Sequence, residues 1–572
     1  MIQKRKNQKL ISAFLAFIIL LSAVSMSFSG SVSAAVPTDY KKSSYSEVVG
    51  ASGIHDVFPK DYWPQLDALA AKYPNWKFQA LYTGLKWEDC FSGTFHQNDP
   101  GNSELYFRRN LIEKVDAKSE WYYAPSSWFS TTIEGAFNWA KNSYYVVETP
   151  NFIQASEEAI KYCMDVRNWI GSEEQIFQFE DQTNHIASTN DEQLTLNVFL
   201  NASWAPFWQK SAEETGIVND QGKKLTYAQE ITEICHNLGL NPVSVASRIL
   251  QEQGSGDNGF LSGTQRFTLT AGEHAGQTVD GGYYNYFNMG STGNTQTERY
   301  NNGLTEAYLA GWNSRYKALY GGAKKLKDNY AARKQTNVYL QKFNVISDSN
   351  YCLWGQYMGA ILAPQSEAKK AYSSYVAGND LASAHRFLIP VFLEYPSTPA
   401  PRPTIDGNPN YKIGSIYVDG KSVPDFDTDT LTYDLGSVKN DVTTIRLNVH
   451  AYAPTSTVTV ENVTGNQDLA ESFNVFLGDN TYKVICKAEN GSSRTYTLKL
   501  HRDGEVIYGD INNDHQWNSL DLAYMTSHLL KKNMLTGTGL EAADISGDGK
   551  VDSLDLAYLT SYLLKKIDHF PR

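Results

Sequence analysis

The spacing of apolar residues changes along the chain. Between residues 226 and 334, segments such as TYAQEITEICHNLGL and GGAKKLKDNYAARK place apolar residues three and four positions apart, which predicts helices with one apolar face. Beyond residue 440, the segments TTIRLNVHAY, STVTVENV, TYKVICKA and RTYTLKL alternate apolar and polar residues, which predicts strands. The pattern therefore predicts a multidomain chain with a mainly helical (α+β) region followed by a β-sandwich.

The length of the chain and one proline-rich stretch indicate where it divides. The 572 residues are too many for one hydrophobic core, because cores stop growing near about 250 to 300 residues. Four prolines within residues 396–403 exclude a helix or a central strand and favour an extended linker. The predicted segments are an accessory segment over 51–230, a catalytic domain over 231–395, a linker over 396–409 and a β-sandwich over 410–502.

The first residues have the pattern of a secretory signal peptide over 1–34. A basic stretch precedes an apolar run at 10–24, and small residues at 32–34 form a cleavage site. The apolar run is shorter than the ~20 residues that span a bilayer, which disfavours an uncleaved membrane anchor. We expect a secreted, extracellular or cell-surface protein with no integral membrane segment after cleavage. A polar, disordered segment is expected over 35–50.

Charge and cysteine content exclude some classes of function. The formal net charge of −12 argues against nucleic acid as a partner, since its binding depends on Lys and Arg at phosphates. The five cysteines are odd in number and have neither metal-ligand spacing nor the density of a disulfide scaffold. They are predicted to be small apolar core residues: Cys90, Cys163, Cys235, Cys352 and Cys486.

The end of the chain is an internal repeat in which DINNDHQWNSLDLAYMTSHLLKK returns as DISGDGKVDSLDLAYLTSYLLKK. Both copies place oxygen-bearing side chains at loop positions 1, 3, 5, 9 and 12, with a backbone carbonyl at position 7, the spacing by which an EF-hand-type loop holds Ca²⁺. Two calcium ions are therefore predicted. Position 6 is Gly549 in the second loop but His515 in the first, which predicts weaker binding at the first. The predicted ligands are Asp510, Asn512, Asp514, Gln516, Asn518 and Asp521, and then Asp544, Ser546, Asp548, Lys550, Asp552 and Asp555.

This repeat resembles the type I dockerins over residues 508–570, a small, mainly helical module. The resemblance implies a cohesin module of a scaffoldin as partner and an enzyme displayed on a cellulosome. Asp at position 12 in place of Glu is usual in dockerins and disfavours a calcium sensor. The family's cohesin contacts fall here on two similar sets, which implies two alternative binding faces: Ser519, Leu520, Ser527, His528 and Lys531, and Ser553, Leu554, Ser561, Tyr562 and Lys565.

A candidate catalytic acid lies in the segment NPVSVASRILQEQGSG. Asn241 suits a helix N-cap and Gly254 a helix end. Glu252 then shares a helix face with Val245 and Ile249, so burial raises its pKa toward neutrality, as a general acid for glycosidic bond cleavage requires. The alternative is a partly buried, structural Glu252 capped by a nearby arginine.

Several ordered sequence blocks over 235–390 resemble the glucosaminidases of glycoside hydrolase family 73, also labelled mannosyl-glycoprotein endo-β-N-acetylglucosaminidase-like. The blocks are SRILQEQG, GGYYNYFNMGSTG, GWNSRYKALYGGAKKL, TNVYLQKFNV and WGQYMGAILAPQSEAKKAY. The resemblance implies a lysozyme-like fold that cleaves the β-1,4 bond after N-acetylglucosamine in peptidoglycan glycan strands, without a cofactor for catalysis. It places the catalytic acid at Glu252 and a cleft motif at Tyr284, Asn285 and Asn288, with Tyr286 also assigned to substrate binding.

The second catalytic group remains open between two mechanisms. A lysozyme-like cleft places a helper carboxylate after the acid-bearing helix, where Asp257, Glu273 and Asp280 lie, and Glu273 is preferred. Alternatively, the substrate's own N-acetyl oxygen is the nucleophile, held by Tyr284. That mechanism requires no second carboxylate.

The remaining segments carry no visible catalytic group. Residues 410–502 resemble cadherin-like β-sandwich modules, with a hairpin predicted at Asn490 and Gly491, and serve as a spacer or bind glycan. Residues 51–230 resemble an accessory segment of clostridial wall hydrolases. Within them Asp165 and Arg167 are predicted to form a structural ion pair, with an extension of the substrate groove as the alternative role of the segment.

Other functions stay open alongside a peptidoglycan glucosaminidase. The family's second label indicates an endoglycosidase that acts on N-linked glycans. A muramidase or a lytic transglycosylase would also use a single glutamate at a helix end. A catalytically silent wall-binding protein displayed by its dockerin is the non-enzymatic alternative.

Overall fold

The protein is described from a computed structural model. The predicted signal peptide, most of the lead-in and Asp257 lie outside the described residues. The described residues are 42–91, 110–113, 127–148, 151–185, 187–200, 205–254, 258–293, 295–348, 352–353, 356–357, 359–404, 406–465 and 472–572.

The helices are concentrated before residue 380 and after residue 518. They are α1 Ile54–Val57, α2 Trp63–Lys72, α3 Glu157–Met164, α4 Asp191–Leu200, α5 Ala205–Trp208, α6 Ala212–Thr215, α7 Tyr227–Leu238, α8 Pro242–Gln253, α9 Gly259–Ser262, α10 Gln296–Leu309, α11 Arg315–Asn329, α12 Val338–Phe343, α13 Ala363–Ala377, α14 Ser519–Leu529, α15 Gly537–Ala543 and α16 Ser553–Leu563.

The strands are short before residue 400, except for two, and longer after it. They are β1 Ser44–Tyr45, β2 Lys77–Lys86, β3 Leu111–Glu113, β4 Phe137–Asn138, β5 Ser143–Tyr144, β6 Val146–Glu148, β7 Phe152–Gln154, β8 Phe267–Thr268, β9 Thr278–Val279, β10 Arg386–Leu393, β11 Ile413–Val418, β12 Lys421–Ser422, β13 Thr432–Val438, β14 Thr444–Ala451, β15 Thr457–Asn462, β16 Ser472–Asn474, β17 Gly478–Lys487 and β18 Ser493–Arg502.

The first compact unit comprises the described residues up to 113 together with 127–133 and 145–403. Its largest sheet has the order β1-β2-β10, and β2 and β10 pair in parallel with Phe78 opposite Phe387. This pairing joins the predicted accessory segment to the end of the predicted catalytic domain. Both segments therefore lie in one compact unit, and the predicted boundary at residue 231 does not coincide with a gap between units.

Helix α8 occupies the centre of this unit and packs against α4, α7 and α13. Almost every side chain from Pro242 to Leu250 is buried, polar residues included, so the helix is enclosed on all sides. A helix that is buried all round contributes core on every face. Its orientation is therefore fixed by packing along its whole length.

The proline-rich segment has fixed contacts with the first unit. Arg167 and Asp165 are both buried and pair at 2.8 Å, which confirms the predicted ion pair. Arg167 also donates to the carbonyl of Pro396 at 2.6 Å, and Asp165 accepts the N–H of Ala400 at 2.8 Å. The pair thereby anchors the beginning of the segment that was predicted to be a linker.

The second compact unit comprises the described residues of 134–144 and 404–572. Its sheets have the orders β12-β11-β14-β16 and β13-β18-β17-β15, with a buried core that includes Ile416, Tyr482 and Leu498. β17 and β18 form the predicted hairpin, and Gly491 has φ of 88° in its turn. The predicted β-sandwich is confirmed.

The C-terminal repeat folds as two similar helices, α14 and α16. Each begins with a capping box, formed by Asn518 with Asp521 and by Asp552 with Asp555. Met525 and Leu559 are buried at equivalent positions of the two helices, within one small core. The sequence repeat is therefore also a structural repeat.

Two predictions about bulk properties can be compared with the described residues. None of their helices is long and apolar enough to cross a membrane. All five cysteines are unpaired thiols; four are buried and Cys352 is partly buried. The expected role of the cysteines as core residues is thus confirmed for those four.

Candidate active site

Helix α8 ends at the proposed acid in the way the sequence predicts. The side chain of Asn241 accepts the N–H groups of Val243 and Ser244, and the helix stops at Gly254, which has φ of 56°. This positive φ favours glycine, because a Cβ there would be strained. Glu252 is therefore held in the last turn of a helix that is otherwise buried.

The environment of Glu252 favours its protonated form. Burial raises the pKa of this half-buried carboxyl from 4.5 to about 7, and the negative charges of Glu367 and Glu148 act in the same direction. Arg248 and the hydrogen bond from Asn288 act against them. Desolvation of the charged form is the largest cause. The site thus keeps an acid that can hold its proton near neutral pH.

Asn288 fixes the position of the Glu252 carboxyl. Its Nδ2 donates to the backbone carbonyl of Glu252 at 2.7 Å and to Oε2 of the same residue at 3.2 Å. Gln253 Nε2 donates to Oδ1 of Asn288 at 3.0 Å, which orients the Asn288 amide. Asn288 has φ of 49°, a left-handed conformation that asparagine tolerates better than most residues. The motif residue predicted to line the cleft therefore contacts the acid directly.

Arg248 is engaged elsewhere, so the alternative in which an arginine caps Glu252 is not realised. Its Nε donates to Glu367 at 2.7 Å and its Nη2 to Gln341 at 2.8 Å. Its guanidinium also lies 3.9 Å from the ring centre of Tyr357. The positive charge of Arg248 therefore acts on the Glu252 carboxyl, while the hydrogen bonds of Arg248 go to Glu367 and Gln341.

The three other motif residues have different roles in the structure. Asn285 is fully buried; it donates to the carbonyls of Met289 and Gly303 and accepts from the Met289 N–H. Tyr286 is also fully buried, with its hydroxyl 3.2 Å from Arg315. Neither side chain has surface available to a substrate, so the geometry does not support the substrate contact predicted for them. Both instead hold the turn that carries Asn288.

Tyr284 is half-buried, and the guanidinium of Arg315 lies 4.7 Å from its ring centre. A Cβ on Gly263 would lie 2.3 Å from the Tyr284 hydroxyl, so glycine is required there for the phenol to occupy its place. Unlike Tyr286, Tyr284 therefore keeps part of its side chain accessible to solvent.

The predicted second carboxylate, Glu273, lies in the turn between β8 and β9 and is exposed. Asp280 is also exposed and lies 3.2 Å from Arg266. Solvent surrounds both carboxylates in this conformation, whereas Glu252 is partly enclosed.

Glu148 is a carboxylate near Glu252 that sequence reasoning missed. It lies on β6, in the sheet of order β3-β7-β6. Leu111 of β3 bridges Ala360, so this sheet adjoins the segment that leads from Tyr357 to α13. Glu148 stands in no motif, and its place depends on pairing between distant segments. No sequence signal could have identified it.

The first loop of the C-terminal repeat brings three of the predicted calcium ligands together. Carboxylate oxygens of Asp510, Asp514 and Asp521 lie within 4.8 Å of one another. In the second loop, Asp555 accepts the N–H groups of Ser546 and Asp552, at 2.8 and 2.9 Å. Clustered carboxylates on a tightly turned loop are the donor set that Ca²⁺ prefers, so these residues fit the ion.

Position 6 of each loop has the left-handed conformation expected of it. His515 has φ of 60° and Gly549 has φ of 83°. A histidine in this region is strained, whereas glycine is not. In the second loop Arg572 also contacts Asp544 at 2.8 Å. The two loops therefore differ in their local contacts.

The predicted cohesin-contact residues lie on the outer surface of the repeat. Leu520 is 54% exposed and Leu554 is 47% exposed at equivalent positions. His528 accepts the N–H of Leu535, while Tyr562 packs on Trp517 with ring centres 5.3 Å apart. The remaining predicted residues are exposed or half-exposed: Ser519, Ser527, Lys531, Ser553, Ser561 and Lys565.

Comparison with known families confirms two of the resemblances. Residues 508–564 match the family described as dockerin type I domain, and residues 408–503 match the cadherin-like beta sandwich domain. The chain is therefore a multidomain protein with a type I dockerin at its C-terminal end and a β-sandwich before it.

The chain is also similar to bacterial autolysins. The chain is 24% identical over 247 residues to the bifunctional autolysin of Staphylococcus epidermidis, covering 39% of this chain and 17% of that protein. The chain thus spans about a sixth of the length of the curated relatives that it matches. This similarity is consistent with the resemblance to glycoside hydrolase family 73.

Solved structures also include chains similar to this one. S. aureus glucosaminidase B is 17% identical, with a TM-score of 0.33. The match covers 56% of this chain and 94% of the glucosaminidase chain. A dockerin of Acetivibrio cellulolyticus solved with a cohesin is 30% identical, with a TM-score of 0.12, and covers 12% of this chain and 94% of its own.

Proposed function

We propose that the protein is a secreted glycoside hydrolase that cleaves the β-1,4 bond after N-acetylglucosamine in peptidoglycan, with Glu252 as the general acid. The observation that carries the proposal is the position of Glu252, which Asn288 holds at the end of a buried helix, where burial raises its pKa to about 7. A carboxylic acid that is protonated near neutral pH can protonate a glycosidic oxygen. The similarity to staphylococcal autolysins indicates the wall as the place of action.

In the proposed reaction, the protonated Glu252 gives its proton to the glycosidic oxygen as the bond to C1 breaks. Asn288 holds the carboxyl in place throughout, since it bonds both the side chain and the backbone of Glu252. The carboxylate that remains lies in the field of Arg248, which favours the anion. The leaving sugar therefore departs as an alcohol, while charge develops at C1.

The second group of the mechanism is Glu148, Glu273 or the substrate's own N-acetyl oxygen. A carboxylate would stabilise the developing positive charge or activate water. Glu148 acts on Glu252 electrostatically, whereas Glu273 lies exposed in the turn between β8 and β9. In the third route, Tyr284 would position the N-acetyl group. Both carboxylates are exposed, and we favour Glu148 over Glu273 because its charge already acts on Glu252.

We further propose that the first unit has a lysozyme-like cleft whose wall includes part of the predicted accessory segment. The sheet that carries Glu148 adjoins residues 359–361, which precede α13. This placement favours the groove-extension role over a purely structural one for that segment.

The dockerin is proposed to bind two calcium ions in EF-hand-like loops and to attach the enzyme to a cohesin. The buried position-12 carboxylates, Asp521 and Asp555, and the exposed leucines Leu520 and Leu554 support this role. Such attachment would keep the hydrolase on a cell-surface or cellulosomal scaffold.

Mass spectrometry of the reducing ends released from purified peptidoglycan tests the proposed activity. N-acetylglucosamine ends are expected. Muramic acid ends would indicate a muramidase, and anhydromuramic ends a lytic transglycosylase. Release of N-linked glycans from a glycoprotein, without wall products, would indicate the endoglycosidase, and no products from either substrate would indicate a wall-binding protein.

A further inference from the structure

A second cluster of chemically reactive side chains lies in the first unit, outside the site of Glu252. It consists of His185, Asp191 and His236, and one ligand atom of each lies within 4.8 Å of the others. Asp191 is the first residue of α4, His236 lies in the last turn of α7, and His185 lies on the segment before α4. The start of α4, with the residues just before it, therefore meets the end of α7.

The hydrogen bonds of Asp191 are unevenly distributed between its two oxygens. Its Oδ2 lies 2.9 Å from His185 Nε2 and 2.7 Å from His236 Nε2, and it also accepts the N–H of Ser188 at 2.9 Å. Its Oδ1 is buried and has no hydrogen-bond partner among the described residues. One oxygen is thus approached by three nitrogens while the other, inside the protein, has none.

Hydrogen bonds account for the three contacts at Asp191 Oδ2 but leave its buried Oδ1 without a partner in the described part of the chain. A buried polar atom without a partner costs about 1–3 kcal/mol, and a carboxylate ordinarily spreads its donors over both oxygens. Two imidazoles that aim Nε2 at one carboxylate match the donors of a metal site, in which nitrogen and oxygen lone pairs face the same cation. Around a tetrahedral zinc ion, ligand atoms lie about 3.4 Å apart, so small side-chain movements would admit the ion.

We propose that His185, Asp191 and His236 form a site for a first-row divalent cation, with zinc as the metal to be tested. Two imidazole nitrogens and a carboxylate suit zinc and its neighbours, whereas Ca²⁺ and Mg²⁺ prefer oxygen-only donors. The dockerin loops and this site therefore select different ions. The bound ion joins the start of α4 to the end of α7, and α4 packs against the helix that carries Glu252. With a water molecule as the fourth ligand, the ion would support the catalytic unit by linking α4 to α7.

Zinc titration of the full chain against a chromogenic chelator tests the site. Saturating calcium is kept present so that the dockerin loops do not take up zinc. A single zinc ion per chain is expected to bind, and His236→Gln is expected to weaken it at least about tenfold, because glutamine keeps a hydrogen-bond donor but offers no imidazole nitrogen. Zinc should also raise the melting temperature of the wild type more than that of the variant.

His55→Gln is the matched control. His55 lies 2.8 Å from Asp67 in a pair of histidine and carboxylate on the surface, so this variant removes an imidazole from a two-membered pair. Its zinc affinity is expected to equal that of the wild type. Absence of saturable zinc binding in the wild type, or equal affinity in His236→Gln, would overturn the proposal.

A second measurement needs no variant and decides the matter if His236→Gln does not fold. X-ray absorption at the zinc edge of the zinc-loaded wild type should show two imidazole ligands and light-atom ligands. A spectrum without imidazole scattering, or with sulfur ligands, contradicts the assignment.

Discussion

Replacing Glu252 by glutamine should change activity and stability in opposite directions. With a pKa of about 7, Glu252 is protonated in about half of the molecules at pH 7. An ordinary glutamate, with a pKa of about 4.3, would be protonated in only about one molecule in 500. Glutamine preserves shape but delivers no proton, so hydrolysis should fall at least about 10²- to 10⁴-fold, the usual contribution of general acid catalysis.

The same change removes an unfavourable buried charge. Because the folded-state pKa of Glu252 is raised, the native state binds the proton more tightly than the unfolded chain, and native stability falls as the pH rises from about 4.5 to about 7. The corresponding free energy is at most about 3 kcal/mol above pH 7 and vanishes below about pH 4.5. Glu252→Gln should therefore be more stable than the wild type at pH 8, and the difference should shrink as the pH falls.

The assays are turnover on purified peptidoglycan and thermal or urea unfolding of the same preparations at several pH values. Wild-type activity should decline about tenfold for each pH unit above 7, since the acid form is lost. Glu47→Gln is the matched control, because it makes the same change at an exposed carboxylate that belongs to no candidate site. A folded Glu252→Gln protein that keeps more than about a tenth of wild-type turnover would refute the assignment. A stability difference that does not depend on pH would refute the burial argument.

Three further predictions concern the second carboxylate and the dockerin. Glu148→Gln should lower turnover more than Glu273→Gln. It should also move the basic limb of the pH–rate profile to lower pH, because it removes a negative charge that raises the pKa of Glu252. A larger loss of turnover for Glu273→Gln, together with an unchanged basic limb for Glu148→Gln, contradicts this prediction. Removing calcium with a chelator should unfold residues 508–570 and abolish cohesin binding, since metal-binding energy is folding energy in so small a module. Peptidoglycan hydrolysis should stay intact. Unchanged cohesin affinity by calorimetry would exclude a calcium-dependent dockerin. Single changes at Leu520 or Leu554 should leave cohesin binding measurable while the double change abolishes it; loss on either single change rules out two alternative faces.

Features encoded by neighbouring residues could be predicted from the sequence. The start and end of α8 depend on Asn241, Pro242 and Gly254, and each acts within one turn of the helix. The calcium loops depend on a spacing of side chains within twelve residues, and the strands of the sandwich on alternation within eight. In each case the determining contacts are local, so the pattern is visible in the sequence.

Features that depend on distant segments could not be predicted in this way. The cleft motif lies near the acid, but the local backbone buries Asn285 and Tyr286 side by side and leaves Asn288 at Glu252. Glu148 and the cluster at Asp191 arise from packing of segments with no shared pattern. A motif identifies which turn matters, while the backbone conformation decides which of its residues faces the reacting group.

The parallel pairing of β2 with β10 bears on how the catalytic region is built. β10 has its register set by β2, from Lys77 opposite Arg386 onward, and β10 follows α13, which packs against α8. A chain that began at residue 231 would expose the β2-facing edge of β10 and its buried residue Phe387, which would favour association with other chains. It would also lack Glu148 and Asp191. We therefore infer that the acid-bearing helix depends on the preceding segment for its support, and that the segment is part of the catalytic unit and not a separate attachment to it.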